Sequence, residues 1–145
     1  VLDECERAAI ADANDLSLAV WRWQKGRVLV RMRRWDEAVA AFRGGLAVAW
    51  RRHYAQALAY VLLSLPDALV MNGQVDAAAR LQGFAVAHWT RHYKSINPIS
   101  AREIRRTRLL LHCGLGAARA ECLRAEGVGM GVVAAVSLAM GNTVE

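Results

Sequence analysis

Seven apolar positions run through residues 35–50 at helical spacing: Trp35, Ala38, Val39, Phe42, Leu46, Ala49 and Trp50. Steps of three and four residues place them on one face of an α-helix, with Arg43, Arg51 and Arg52 off that face. Gly44 and Gly45 interrupt the stripe. Each glycine costs a helix interior roughly 0.5–1 kcal/mol relative to alanine. The pair makes sense where a second helix packs very close. Composition agrees: 55% of the 145 residues are hydrophobic, many of them alanine, and only 2 are proline. That favours an all-helical domain with a core large enough to need neither disulfides nor a metal.

The remaining chain divides into further helices. Residues 3–13 form a short one, with Ala9, Ile10 and Ala13 on one side, ended by Asn14-Asp15, which can cap the next. Residues 16–32 form a second, with Leu18, Trp21, Val28, Leu29 and Met32 near helical spacing, and Arg33-Arg34 is the turn. A fourth helix covers 54–72, with a kink or break expected at Pro66. Asn72-Gly73 stops it, and residues 75–93 form the fifth. The segment 94–100 is a loop, from which Ser100 caps a sixth helix with Glu103 in capping-box position. Gly114 and Gly116 end that helix, 117–126 is the seventh, 127–131 is a glycine-rich linker, and 132–140 is the last.

Residues 33–42 align with 73–82, forty residues on: a turn residue, an apolar residue, Asp, then Ala38 or Ala78. This is the period of a helical hairpin. The first copy carries Gly26, Leu29, Ala38, Phe42 and Gly45, which resembles the tetratricopeptide pattern of small residues at a helix crossing with an aromatic beside them. The matching positions of the second copy are Pro66, Leu69, Ala78, Gln82 and Ala85. The expected fold is therefore all-α: antiparallel helical hairpins stacked as a short tetratricopeptide-like right-handed solenoid, one domain over 1–145. The start at Val1 rather than Met suggests a fragment of a longer chain or a processed one.

The C-terminal half adds a family resemblance. "AARLQGFAVAHW" (78–89), a loop with Pro98, a basic helix, "LGAARAECLRAEG" (115–127) and "MGVVAAVSLAM" (130–140) follow in order. Ala79, Arg80, Leu81, Gly83, Ala85, Pro98, Leu115, Gly116, Glu126, Gly127, Ala135, Val136, Leu138 and Ala139 carry the match. The order resembles the tetratricopeptide-like C-terminal repeat region of large bacterial signal-transduction ATPases that act as transcriptional regulators, of LuxR or winged-helix type. That family often has an aromatic near Ala120 and a Trp near Arg124, which this chain lacks. The resemblance implies a repeat region that receives an effector or a partner protein. The DNA-binding and nucleotide-binding domains of such regulators lie elsewhere on their chains, and no phosphate-cradling G-x-x-x-x-G-K-[ST] occurs here.

Motifs of chemistry are weak. His88 and His92 share a metal-compatible spacing, but Trp89 stands where a zinc protease needs Glu. Ser64, Ser95, Ser100 and Ser137 lie in no nucleophile elbow. Cys5, Cys113 and Cys122 suit small buried hydrophobes in a reducing cytoplasm better than a disulfide framework. Asp36, Asp67 and Asp76 read as helix-start residues. No secretory signal and no apolar run of membrane-spanning length is present. The expectation is a non-enzyme without cofactor or metal.

Two candidate surfaces follow. A peptide or ligand groove would use Trp23, Arg27, Tyr54, Tyr60, Trp89 and Tyr93, aromatics with a cation beside them. Charge is uneven: residues 1–15 carry −4, 22–52 carry +7 and 91–108 carry +5, within a total of +6. The basic patch would comprise Arg31, Arg33, Arg34, Arg51, Arg52, Arg102, Arg105 and Arg106. The leading function is a non-catalytic protein-interaction or effector-sensing module of a bacterial transcriptional regulator, located in the cytoplasm. The alternative is a basic helical nucleic-acid-binding domain. Expected partners are a protein or other domains of the parent chain, or a small effector. Direct nucleic-acid binding is disfavoured, no membrane is expected, and the free faces of a repeat allow self-association.

Overall fold

Helices commonly end on a residue in the left-handed conformation, and this chain places three such residues at equal intervals. In a computed structural model, residues 1–12 and 14–142 are described. Among them are eight α-helices and no strand: α1 (Leu2–Ala11), α2 (Asp15–Arg31), α3 (Trp35–Arg51), α4 (Ala55–Met71), α5 (Val75–Tyr93), α6 (Pro98–Leu115), α7 (Ala117–Val128) and α8 (Val132–Ala139). Helices α2, α3 and α4 each have 17 residues. Arg33, His53 and Gly73 follow them at intervals of twenty residues, all with positive φ. In each turn the next backbone N–H reaches back to close the helix: Arg34 to Leu29, Tyr54 to Ala49 and Gln74 to Leu69. Only the third turn has a glycine; holding Arg33 and His53 left-handed costs roughly 1–2 kcal/mol each. This twenty-residue step underlies the forty-residue period of the sequence.

The chain forms two compact units, 1–61 and 62–145, with α4 contributing to both. In the first, α2 and α3 make an antiparallel hairpin. A Cβ on Gly26 would sit 2.6 Å from the Phe42 ring, and one on Gly45 would lie 3.1 Å from the Ala19 carbonyl oxygen. All five repeat positions of this copy, Gly26, Leu29, Ala38, Phe42 and Gly45, are buried. In α2 and α3 the exposed members of the expected stripes are Val28, Met32 and Trp50. The buried face of α2 runs through Leu18, Ala19, Gly26, Leu29 and Val30, and Val28 and Met32 lie beside it. Trp50 follows buried Ala49 by one residue, about 100° round the helix, and is 39% exposed. Ala9 is buried in α1 while Ile10 is exposed; Ala13 lies outside the described residues.

The second unit is built on α5 and α7. A Cβ on Gly83 would stand 2.0 Å from the Arg124 carbonyl oxygen, and one on Gly127 only 1.8 Å from that of Arg80. The two contacts run in opposite directions along the chain, so the helices cross antiparallel with glycine Cα–H groups aimed at facing carbonyls, a recurrent helix–helix contact. The second copy's repeat positions, Pro66, Leu69, Ala78, Gln82 and Ala85, are also all buried. Gln82 stands where the first copy has Phe42, and its Nε2 donates to the Ile104 carbonyl of α6 at 3.0 Å.

Several boundaries differ from expectation. Helix α4 continues unbroken through buried Pro66. Helix α6 begins at Pro98, where a proline has no N–H to leave unbonded. Its cap is Asn97, whose side chain accepts from the Ser100 N–H at 2.9 Å; Ser100 itself lies inside the helix. Gly114 does not stop α6; Gly116 does, with φ of 81°. Gly127 belongs to α7 and to its crossing rather than to a linker.

Two stability experiments follow. Gly83→Ala and Gly127→Ala should each lower stability by at least about 1–3 kcal/mol in urea unfolding, since backbone must move. Gly114→Ala, with only an ordinary contact at 3.5 Å to Val75, should gain about 0.5–1 kcal/mol. At the start of α6, Asn97→Ala should cost about 1 kcal/mol and Ser100→Ala clearly less; equal losses would contradict the cap assignment.

Candidate interaction surfaces

The groove expected from the sequence divides between the two units. In the first unit, Trp23 and Arg27 are one helical turn apart on α2, with the Arg27 guanidinium carbon 5.1 Å from the Trp23 ring centroid. Tyr60 of α4 approaches the same indole at 4.9 Å. All three side chains are half-buried, as is Tyr54 just before α4. A guanidinium over an indole is worth about 0.5–1 kcal/mol at an exposed site and more when desolvated. The cluster thus presents a partly wet cation on the Trp23 indole, with the Tyr60 ring against that same indole.

Trp89 and Tyr93 belong to the second unit. Their rings lie 4.6 Å apart, but Trp89 is only 5% exposed. Its indole N–H donates to the Ser95 carbonyl at 2.8 Å and ties α5 to the following loop. Trp89 is therefore a core anchor rather than a groove residue. Phe84, His88 and His92 continue as a ladder along α5, with neighbouring ring centroids 5.2 and 4.5 Å apart. Burial pushes the His88 imidazole below its usual pKa, and His92 and Arg91 add to the effect. Among the described residues no three His, Cys, Asp or Glu side chains are grouped to hold a metal.

The basic patch is likewise redistributed. Arg31, Arg33 and Arg34 lie at the α2–α3 turn, while Arg51 and Arg52 lie at the other end of α3. A 17-residue helix separates them by about 25 Å at 1.5 Å per residue. Several are already paired: Arg34 with Glu37 at 2.6 Å, Arg52 with Asp15, and Arg106 with Asp67. Arg31, Arg33, Arg51, Arg102 and Arg105 are exposed. Asp67, expected at a helix start, lies inside α4 beside Pro66 and is buried. Burial raises its pKa, while the Arg106 guanidinium acts in the opposite direction. Asp36 and Asp76 do occupy first turns. Cys113 and Cys122 are exposed and Cys5 is half-buried, all three as free thiols, so burial does not account for the first two.

Three further features escaped the sequence reading. Helix α1 lies antiparallel on α2 through ion pairs: Glu6 with Arg22 at 2.8 Å, and Lys25 with Asp3 at 2.8 Å and Glu6 at 3.2 Å. The bond from Arg22 holds the Glu6 carboxyl below its usual pKa, and the bond to Asp3 raises that of Lys25. Only the spacing of Asp3 and Glu6, and of Arg22 and Lys25, hinted at this pairing. A groove of about 440 Å³ opens beside these groups, over Leu29, Ala40, Ala41 and Gly44. In the second unit, a groove of about 500 Å³ runs along α5, α7 and α8, bordered by Arg80, Glu126, Met130 and Leu138, with Arg80 and Glu126 paired at 2.8 Å. Between α6 and α7, Glu121 gathers Arg108 at 2.9 Å, His112 at 2.6 Å and Arg124 at 2.8 Å.

No family model, no curated protein and no solved structure matches this chain. None of the described helices is long and apolar enough to cross a membrane.

The Glu121 cluster has a measurable pH signature. Its carboxyl is lowered from 4.5 to about 2, chiefly by the His112 bond, with Arg108 next among the lowering groups. A lowered folded-state pKa stabilises the fold above the unfolded value and loses that contribution as pH falls through the folded one. The contribution should therefore fade between pH 4.5 and about 2. Glu121→Gln should flatten the loss of denaturation midpoint across that window; an unchanged acid slope would show that the cluster carries no linkage.

Proposed function

We propose that this chain is a non-catalytic protein-interaction or effector-sensing module of a bacterial transcriptional regulator, working in the cytoplasm. The resemblance to the repeat region of such regulators motivates the reading. The observation that carries it is the Trp23–Arg27–Tyr60 cluster: two aromatic rings and a cation, half-buried, with Trp23 and Arg27 on α2, whose approach to α3 is fixed by the Gly26 and Gly45 contacts, and Tyr60 on α4. Aromatic and arginine side chains of this kind anchor protein interfaces, because they bring large contact area with few rotatable bonds. Binding there would couple to the rest of a parent chain through the packing of these helices.

The division of the arginines between both ends of α3 argues against one continuous phosphate-tracking surface. A photo-reactive residue at position 54, six residues before Tyr60 at the start of α4, should cross-link to protein in the parent bacterium. Arg27→Ala in a chain of unchanged helix content should reduce that product about tenfold, corresponding to about 1.4 kcal/mol. Cross-linking to nucleic acid would overturn the reading, as would duplex-DNA affinity that falls steeply from about 50 to about 200 mM salt.

A further inference from the structure

Helix α1 is held in an unusual way for a ten-residue helix. Its Asp3 and Glu6 engage Lys25 and Arg22, whereas Ala9 is its one buried apolar side chain among those described. Its N-cap residue Val1 makes no side-chain capping bond. Helices this short are marginal in water without packing, so charge contributes much of what keeps α1 on α2. Arg22 lies across Gly44, its Cδ 3.2 Å from where a Cβ would be, and one of its terminal nitrogens donates to the Gly44 carbonyl at 3.4 Å. Beyond these cations the groove continues over Leu29, Ala40 and Ala41. At its border stands Glu37, whose carboxylate is taken by Arg34.

Two cations one turn apart, beside a floor of small apolar side chains, suit a helix with carboxylates one turn apart and apolar residues between them. Helix α1 itself shows that chemistry, since Glu6 alone bridges Arg22 and Lys25 with its two oxygens. A phosphate backbone would make no use of the apolar floor and would meet Glu37. We infer that the Arg22–Lys25 face of α2 is a docking site for an acidic amphipathic helix of a partner protein, and that α1 is a built-in competitor which such a partner displaces. This rests on the interaction-module reading above and specifies the chemistry of the partner.

The test uses the full chain. A fluorescent peptide of residues 1–12, with Cys5→Ser, is the probe, and the receiving chain carries Asp3→Lys and Glu6→Lys so that its own α1 is repelled. This variant should bind the probe about tenfold more tightly than the wild-type chain or better, because a tethered competitor acts at roughly millimolar effective concentration. Binding should weaken as salt rises and vanish when Arg22→Glu and Lys25→Glu are added. No binding to a variant whose helix content falls by no more than the 10 residues of α1, or equal binding after the arginine and lysine changes, overturns the inference; so does duplex DNA binding in place of the peptide. If the lysine variant does not fold, hydrogen exchange on the wild-type chain decides. Amides of α1 should exchange faster in high salt and with excess probe while those of α3 do not, and α1 amides as protected as those of α3 overturn the site. Failed probe binding with cross-linking at position 54 retained removes only this site. Loss of both removes the interaction reading as well.

Discussion

The crossing of α5 and α7 depends on two hydrogen atoms. Gly83 and Gly127 each present a Cα–H where any other residue would present a carbon, and the facing carbonyls of Arg124 and Arg80 lie too close for that carbon. Because the contact is reciprocal, it fixes both the separation of the helices and their slide past one another. Arg80 and Glu126 flank the crossing and pair across it. Beside the groove lined by Arg80, Glu126, Met130 and Leu138, the spacing of α5 and α7 is therefore set by backbone contact. The first unit reaches a similar result with different means: Gly45 meets the Ala19 carbonyl, while Gly26 makes room for a ring.

Much of this was legible in the sequence because helical packing is periodic. The forty-residue offset found Ala38 and Ala78, and the structure buries all ten positions aligned around them. Gly44-Gly45 correctly announced a close helix. What stayed hidden was set by partners far along the chain. Gly127 reads like a linker residue within "EGVGMG", because nothing local reveals that Arg80 lies against it. Asp67 looks like a helix-start residue after Pro66, yet α4 runs through both and Arg106 meets the carboxylate from thirty-nine residues away. Ser100 fits a capping box, but Asn97 with Pro98 behind it starts the helix one turn earlier. Trp50 shows the angular limit of pattern reading, since one residue moves a side chain about 100° round a helix.

Charge was the least legible property. The block 22–52 is strongly basic by count, yet a helical hairpin carries its sequence neighbours to opposite ends, and acids from elsewhere meet several of its cations. Arg22, Lys25 and Arg52 are met by Glu6, Asp3 and Asp15 from outside the block, and Arg34 by Glu37 within it. The local electrostatic character of a surface is thus a property of the packing. The same logic separates the Trp23–Arg27–Tyr60 cluster from Trp89: similar residue types become a half-open face in one place and a core anchor in another.

Gln82 gives the degenerate second repeat a positive meaning. Substitution toward a repeat consensus commonly stabilises repeat proteins. Here an aromatic at position 82 would remove the amide that holds the Ile104 carbonyl, and with it a directional bond that tells α6 where to lie. An apolar filler attracts any greasy neighbour, but a buried amide accepts only one with a carbonyl at the right place. The departure from the pattern is therefore an address label. It marks a place in the chain where one kind of helix pairing ends and another begins.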